Sequence, residues 1–333
     1  MKWLLKRILA GLGALLVVAV GAGTLLGMQF SGPKAPWAAS TGDDAAWLGN
    51  AWVDGSRGGE EFAAALPRLR AGGFSDLYVH VGDIGADGTL APEGYARAGA
   101  FLDRVRRELP DVRVLGWMSH TAESSSLTED RFDEDARAAA AAAAGEVAAA
   151  GFDGVHYAIA PVTTNDPSLP DLLERTREAI GSDHLLSVEA QPVELIPGLR
   201  LPVFLVAREE RFWSAGYLER IAEEADAVVI RGHGTGMPLE SLYGGFMVRQ
   251  TLLALRTVPE DVAVRIGAPS FDHEGWGPVS SAETVAAATE AVRIGLSEHG
   301  ERREDFGMAL YVLDDTSEEN WAAFEEGWSD PAR

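Results

Sequence analysis

The residues able to do chemistry are few. Asp54, Asp83 and Glu189 each stand at or just past the end of a short β-rich run, where a carboxylate can carry a proton or stabilise a developing positive charge. Acids at such positions also cap helices and satisfy loops. His156, His233 and His273, the last beside Asp272, are of types that ligate divalent ions, but none stands at the spacing of a metal motif, so no metal is expected. Arg231 follows the run Ala227–Ile230 and places a cation among these groups. Aromatics near the ends of the runs are Trp52, Trp117, Tyr157, Trp213, Tyr243 and Trp276. Flat faces with polar rims suit sugar rings, although tryptophan also fills cores. Tyr157 alternates with Ala158, so only one of the two can face the centre of a sheet-lined site.

Positioning these residues requires a repeating two-part unit. Strands are expected at Trp47–Val53, Asp76–Val81, Val112–Trp117, Gly154–Ile159, Leu185–Glu189, Ala227–Ile230, Val262–Gly267 and Met308–Leu313. Helical patterns lie between and after them, near 59–71, 93–108, 129–150, 170–180, 213–224, 239–256, 281–299 and 318–327. Eight alternations predict an α/β fold, a closed parallel (β/α)8 TIM barrel, with its chemistry at the C-terminal ends of the strands. A doubly wound open sheet would need a phosphate-binding turn after its first strand. Gly55-Ser56-Arg57-Gly58-Gly59 is glycine-rich without that spacing. The tract Ala138–Ala144 reads as a high-propensity helix with a thin packing face.

Ahead of the barrel, Lys2, Lys6 and Arg7 precede an uncharged apolar run from Ile8 to Met28. Such a run is long enough to cross a bilayer core of about 30 Å, and cations first place the N-terminus in the cytoplasm and the barrel outside. The competing reading is a secreted protein, cleaved near Val20-Gly21-Ala22. The expected organisation is an anchor over 1–30, a linker over 31–45 and a barrel over 46–333.

Composition removes several functions. Cysteine is absent, which excludes disulfides, thiolate metal sites and a cysteine nucleophile. Lysine occurs only at Lys2, Lys6 and Lys34, so Schiff-base and phosphate-loop lysines are unavailable to the barrel. The net charge is −23, and residues 1–30 contribute +3, which leaves −26 on the rest. A surface so acidic repels nucleic acid. No cofactor is expected.

One stretch carries a resemblance. The fourth strand reads Gly151-Phe152-Asp153-Gly154-Val155-His156-Tyr157-Ala158-Ile159-Ala160-Pro161-Val162. It resembles the fourth-strand signature D-G-x-D-x-D-x-E of glycoside hydrolase family 18, the chitinase-like barrels, and a bacterial variant whose middle reads H-Y-D-I-E-P. Asp153, Gly154 and Pro161 match as structural positions. The family's assisting aspartate falls on Ala158 and its proton-donating glutamate on Ala160. More loosely, Leu69–Val81 looks like the family's passage into its second strand, and Asp226–Thr235 like its sixth. Where that sixth strand usually ends in Met-x-Tyr-Asp, this chain has Arg231, His233 and Gly234. The tryptophan that floors the family's sugar site has no counterpart around Leu313-Asp314, and Trp321 is expected in the last helix.

The resemblance implies a substrate-assisted mechanism in which a carboxylic acid protonates the glycosidic oxygen while the sugar's acetamido oxygen attacks the anomeric carbon. Alanine can do neither part of the protein's work in that scheme. The expectation is a glycosidase-like protein without catalysis that binds an N-acetylated glycan or a cell-envelope protein, with Trp52, Trp117, His156, Tyr157, Arg231 and Tyr243 as candidate contacts. Two alternatives stay open. One is an active hydrolase with relocated carboxylates at Glu189 or Asp83, which requires one of them to hold a proton. The other is a protein-interaction scaffold without a glycan site.

Overall fold

The computed structural model describes residues 2–121, 132–160, 162–198, 212–271 and 282–331. Helix α1 covers Lys2–Gln29. Strand and helix then alternate: β1 Asp44–Leu48, α2 Gly59–Ala71, β2 Phe74–Asp83, α3 Ala98–Glu108, β3 Arg113–Thr121, α4 Glu134–Ala149, β4 Gly154–Ala160, α5 Ser168–Ile180, β5 Leu185–Ala190, α6 Ala215–Ala222, β6 Ala227–Ile230, α7 Glu240–Thr257, β7 Ala263–Pro269, α8 Val285–His299, β8 Phe306–Tyr311 and α9 Glu318–Phe324. The strands close into one parallel barrel in the order β1 to β8, with β8 returning to β1. This is the (β/α)8 architecture that the eight alternations imply.

The barrel is seamed at its N-terminal face by aspartates. Asp153 Oδ2 accepts from Val114 N at 2.7 Å, Asp226 Oδ2 from Leu186 N at 2.7 Å, and Asp44 Oδ1 from Met308 N at 2.7 Å. Each carboxylate thereby satisfies an amide on the preceding strand of the barrel. Gly154 follows for a steric reason, since a Cβ there would run into the Leu185 backbone. The matching Asp153-Gly154 pair thus belongs to the stability face of the barrel, away from its mouth.

Inside the barrel the lower layer is polar. Arg265 bonds Asp76 at 2.5 Å, and Arg113 meets the same carboxylate at 2.7 Å from the open end. Above them, Trp47, Tyr78 and Leu115 pack with Ala45, Val229 and Ala309 as an inner cluster, separate from the large core between strands and helices. Asp44 also accepts from Ser40 Oγ at 2.5 Å and from Trp328 Nε1 at 2.7 Å, which ties the segment before β1 and the segment after α9 to the barrel floor.

Several boundaries differ from the sequence reading. The first strand is Asp44–Leu48, because Asn50–Trp52 turns as a short 3-10 helix with Val53 N on Asn50 O at 2.9 Å. Residues 31–45 are a tethered crossing: Lys34 pairs with Glu290 at 2.5 Å, Ala35 N bonds Ser297 Oγ at 2.7 Å, and Arg293 Nε bonds Ala38 O at 2.8 Å, all along α8. The end of α1 is part of the domain too. Leu26 and Phe30 press on α7 at Gly245 and Gly244, where neither glycine has room for a Cβ. Among the described residues no helix is long and apolar enough to cross a membrane.

Candidate functional site

The mouth is formed where β2 to β8 end. On β4, strand alternation sends Val155, Tyr157 and Ile159 outward and His156, Ala158 and Ala160 inward. Tyr157 Oη accordingly lies 2.9 Å from Thr176 Oγ1 on α5, fully buried between barrel and helices, where burial pushes its pKa up. It therefore faces away from any ligand in the mouth, a correction to its place among the candidate contacts. Ala158 and Ala160 stand on the inner face opposite Ser119 and Thr121 of β3. They offer a half-buried methyl surface and no titratable group.

Below them, His156 is fully enclosed. Its ring stacks on Tyr78 with centroids 4.0 Å apart, and Nδ1 lies 2.9 Å from Ser187 Oγ. Burial pushes the imidazole down to about 3 against the pull of Glu189, so it is neutral and part of the packed floor.

Glu189 rises from β5 as a buried acid of the mouth. Its Oε1 accepts from Arg231 Nε at 2.8 Å and its Oε2 from Arg231 Nη2 at 2.7 Å, a two-point pairing of guanidinium and carboxylate. His233 Nε2 lies 3.4 Å from Oε1. Burial works to raise the Glu189 pKa, but the charge and hydrogen bonds of Arg231 outweigh it and hold the carboxyl well below the usual range. Glu189 is thus ionised and has no proton to give. Asp83 is the opposite case: its side chain is 81% exposed and is hydrogen-bonded to Ser119 Oγ at the rim. Asp54 stands outside the mouth, exposed, accepting from Ser56 N at 2.6 Å, because the first strand ends earlier than its sequence pattern indicates.

The sixth-strand loop turns through Gly234 with φ of +66°, and the Glu283 carboxylate accepts from Gly234 N at 2.7 Å, Gly236 N at 3.0 Å and Thr235 Oγ1 at 2.6 Å. This clamp presents the His233 ring flat against Tyr311, with centroids 4.2 Å apart and planes 8° from parallel. Tyr311 ends β8 and is the hub of the mouth. Its ring also meets Trp47 at 5.4 Å, Trp117 at 5.9 Å and Phe271 at 5.9 Å. Among the described residues, the indole Nε1–H groups of Trp47 and Trp117 are buried without a hydrogen-bond partner.

Of the remaining expected contacts, Trp117 is in the mouth and Arg231 is at its wall. Trp52 is not: it is buried against Phe62 and Phe101, with Nε1 on Asp314 Oδ1 at 2.8 Å. Tyr243 is fully buried on α7 and donates to Gly232 O at 2.8 Å, so it supports the loop from behind and touches no ligand in the mouth. Trp213 is likewise interior, its Nε1 on Val162 O at 2.9 Å. Pro161, Asp272, His273 and Trp276 lie outside the described residues. Among the described residues, no three acids or histidines come together as a metal site would require.

Trp47 and Tyr311 are the mouth residues the sequence pattern did not single out. The sequence pattern puts the end of the first strand at Val53, whereas the strand that forms ends at Leu48, beside Trp47. Tyr311 stands at the end of β8, two residues before Leu313.

No family model matches this chain. No curated protein matches it either. Solved structures do. The spore cortex-lytic enzyme SleL of Bacillus megaterium QM B1551 superposes with a TM-score of 0.60 at 14% identity, over 89% of this chain and 76% of that one. A class V chitinase from Pseudomonas fluorescens Pf-5 gives a TM-score of 0.56 at 12% identity, over 85% and 98%. A chitinase from Bacteroides thetaiotaomicron gives 0.56 at 11%, over 87% and 97%. The structural neighbours are chitinase-like barrels of the family-18 type, and at these identities the likeness concerns the fold.

Proposed function

We propose that this protein is a glycan-binding barrel that does not cleave glycosidic bonds, and that its ligand is an N-acetylated glycan of the cell envelope. The observation that carries the reading is the state of the mouth's acids. The two motif positions are alanine, and the buried carboxylate of Glu189 on the next strand is neutralised by Arg231 at 2.8 and 2.7 Å. A proton donor for a leaving alcohol must hold its proton near neutral pH, and Glu189 is held far from that condition. Asp83, the other acid named as a replacement, is solvated. The relocated-carboxylate alternative thus loses the feature it requires.

Binding is favoured over a scaffold role because the mouth keeps an aromatic wall at Trp117 and Tyr311. Such a surface stacks on the flat face of a pyranose. The likeness of the barrel to chitinases supports this choice of ligand class, and Arg231 is at the edge of that surface.

We also propose that the barrel stands at the outer face of a membrane with the N-terminus in the cytoplasm, although no described helix is long and apolar enough to cross one. Support comes from the charge order of the sequence, three cations followed by the uncharged run Ile8–Met28. Fractionation of cells with protease protection of the barrel tests the placement: a barrel degraded by external protease in intact cells, with α1 retained in the membrane pellet, is expected. For the binding, chito-oligosaccharides are titrated into the full chain. Saturable binding without chain shortening is expected, and release of shorter oligosaccharides that stops in Glu189→Gln would restore the hydrolase alternative.

A further inference from the structure

A second kind of chemistry is laid out beside the two alanines. His80 on β2 and Ser119 on β3 meet at the mouth, with His80 Nε2 2.9 Å from Ser119 Oγ. That is the contact a serine nucleophile makes with its base. Ser119 is in register with Ala158, so the hydroxyl borders the space left where an acid would otherwise stand. Burial lowers the His80 pKa against the pull of Asp83, which keeps the ring neutral and able to accept a proton. Ser119 Oγ donates its hydrogen to Asp83 Oδ1, which lies 3.6 Å from His80 Nε2, so the hydroxyl turns from Asp83 to Nε2 before His80 acts as its base. The Trp117 ring packs on the imidazole with centroids 4.6 Å apart.

We propose that Ser119, with His80 as its base, is the nucleophile of an acyl-transfer site, and that its substrate is a carboxylic ester of a sugar hydroxyl. The aromatic wall formed by Trp117 and Tyr311 gives the sugar a platform, and Ser119 lies two residues along β3 from Trp117. Ser119 Oγ attacks the acyl carbonyl as its proton passes to His80 Nε2. The tetrahedral adduct collapses with loss of the sugar alkoxide, which takes that proton and leaves as the alcohol. Water then attacks the acyl-serine, gives a proton to Nε2, and releases the carboxylic acid while Ser119 regains its hydrogen. The net reaction is ester plus water to acid plus alcohol. Asp83 stands on the Nε2 side of the ring rather than behind Nδ1, so it offsets the charge of the transient imidazolium from the front.

This goes beyond glycan binding and does not depend on it, because the probes carry no sugar. The full chain is treated with a fluorophosphonate and digested, and hydrolysis of p-nitrophenyl acetate is followed in parallel. A phosphonyl adduct on Ser119 is expected, absent in Ser119→Ala. Ester turnover is expected to fall on the order of 10²-fold or more in both Ser119→Ala and His80→Gln. No adduct on Ser119, or turnover in Ser119→Ala within about twofold of wild type, overturns the proposal. Ser119 is only half-buried, so its alanine variant keeps the test decisive if His80→Gln does not fold.

Discussion

Replacing Arg231 by alanine would leave Glu189 enclosed without its counter-ion. The Glu189 side chain is 6% exposed and that of Arg231 27%. Removing one partner of a buried ion pair costs about 3–5 kcal/mol, and the partial exposure of Arg231 argues for the lower end, about 3 kcal/mol at neutral pH. The pH dependence is the sharper signature. In the wild type, Glu189 is held below its ordinary value of 4.5, so its contribution is present above that value and lost as pH falls through the depressed pKa. In Arg231→Ala, burial becomes the dominant influence and lifts the pKa above 4.5, so stability is present below that value and lost as pH rises. The destabilisation relative to wild type should therefore grow between about pH 5 and about pH 7. Urea unfolding of the full chain at both values measures it, and Glu189→Gln/Arg231→Met, which removes both charges at similar volume, should recover most of the loss. Equal gaps at the two pH values, or a cost below about 1 kcal/mol at neutral pH, would show that Arg231 does not hold the carboxylate, and the argument against a relocated acid would fall with it.

The remaining predictions concern stability and the direction of β4. Burial raises the Asp44 pKa to about 6 against hydrogen bonds from Met308, Ser40 and Trp328. Its contribution is therefore full below the ordinary 3.8 and lost as pH rises through about 6, a change of about 3 kcal/mol that denaturant titrations of wild type should show and Asp44→Asn should not. Tyr157→Phe should cost about 1 kcal/mol in unfolding experiments through its lost bond to Thr176, with glycan affinity unchanged. Gly154→Ala should cost about 3 kcal/mol or more, or prevent folding, because the added methyl meets the Leu185 backbone; thermal melts decide it, and an unperturbed melting temperature would contradict the packing described.

The fold was readable because strand and helix periods alternate cleanly. The bounds of α2 and β6 agree with the sequence pattern residue for residue. The first strand was misplaced because Trp52 and Val53 have strand-like side chains, and only tertiary contacts reveal that they turn: Trp52 is drawn onto Phe62, Phe101 and Asp314. Strand alternation already implied that Tyr157 or Ala158 must face out, and the hydroxyl of Tyr157 finding Thr176 decides which. The pairing of Glu189 with Arg231 joins residues 42 apart on neighbouring strands, and sequence spacing carries no sign of it. The same is true of His80 and Ser119, which are 39 apart and become neighbours through the register of β2 on β3.

The most direct test of a binding barrel without glycosidase activity is one titration with two readouts. Tryptophan fluorescence of the full chain is followed as N-acetylglucosamine oligosaccharides are added, and the oligosaccharides are then recovered and their lengths measured by mass spectrometry. The account predicts a saturable fluorescence change that is lost in Trp117→Ala, with every oligosaccharide recovered at its starting length. Shortened chains in wild type that stay intact in Glu189→Gln, or a fluorescence signal that never saturates, would contradict it.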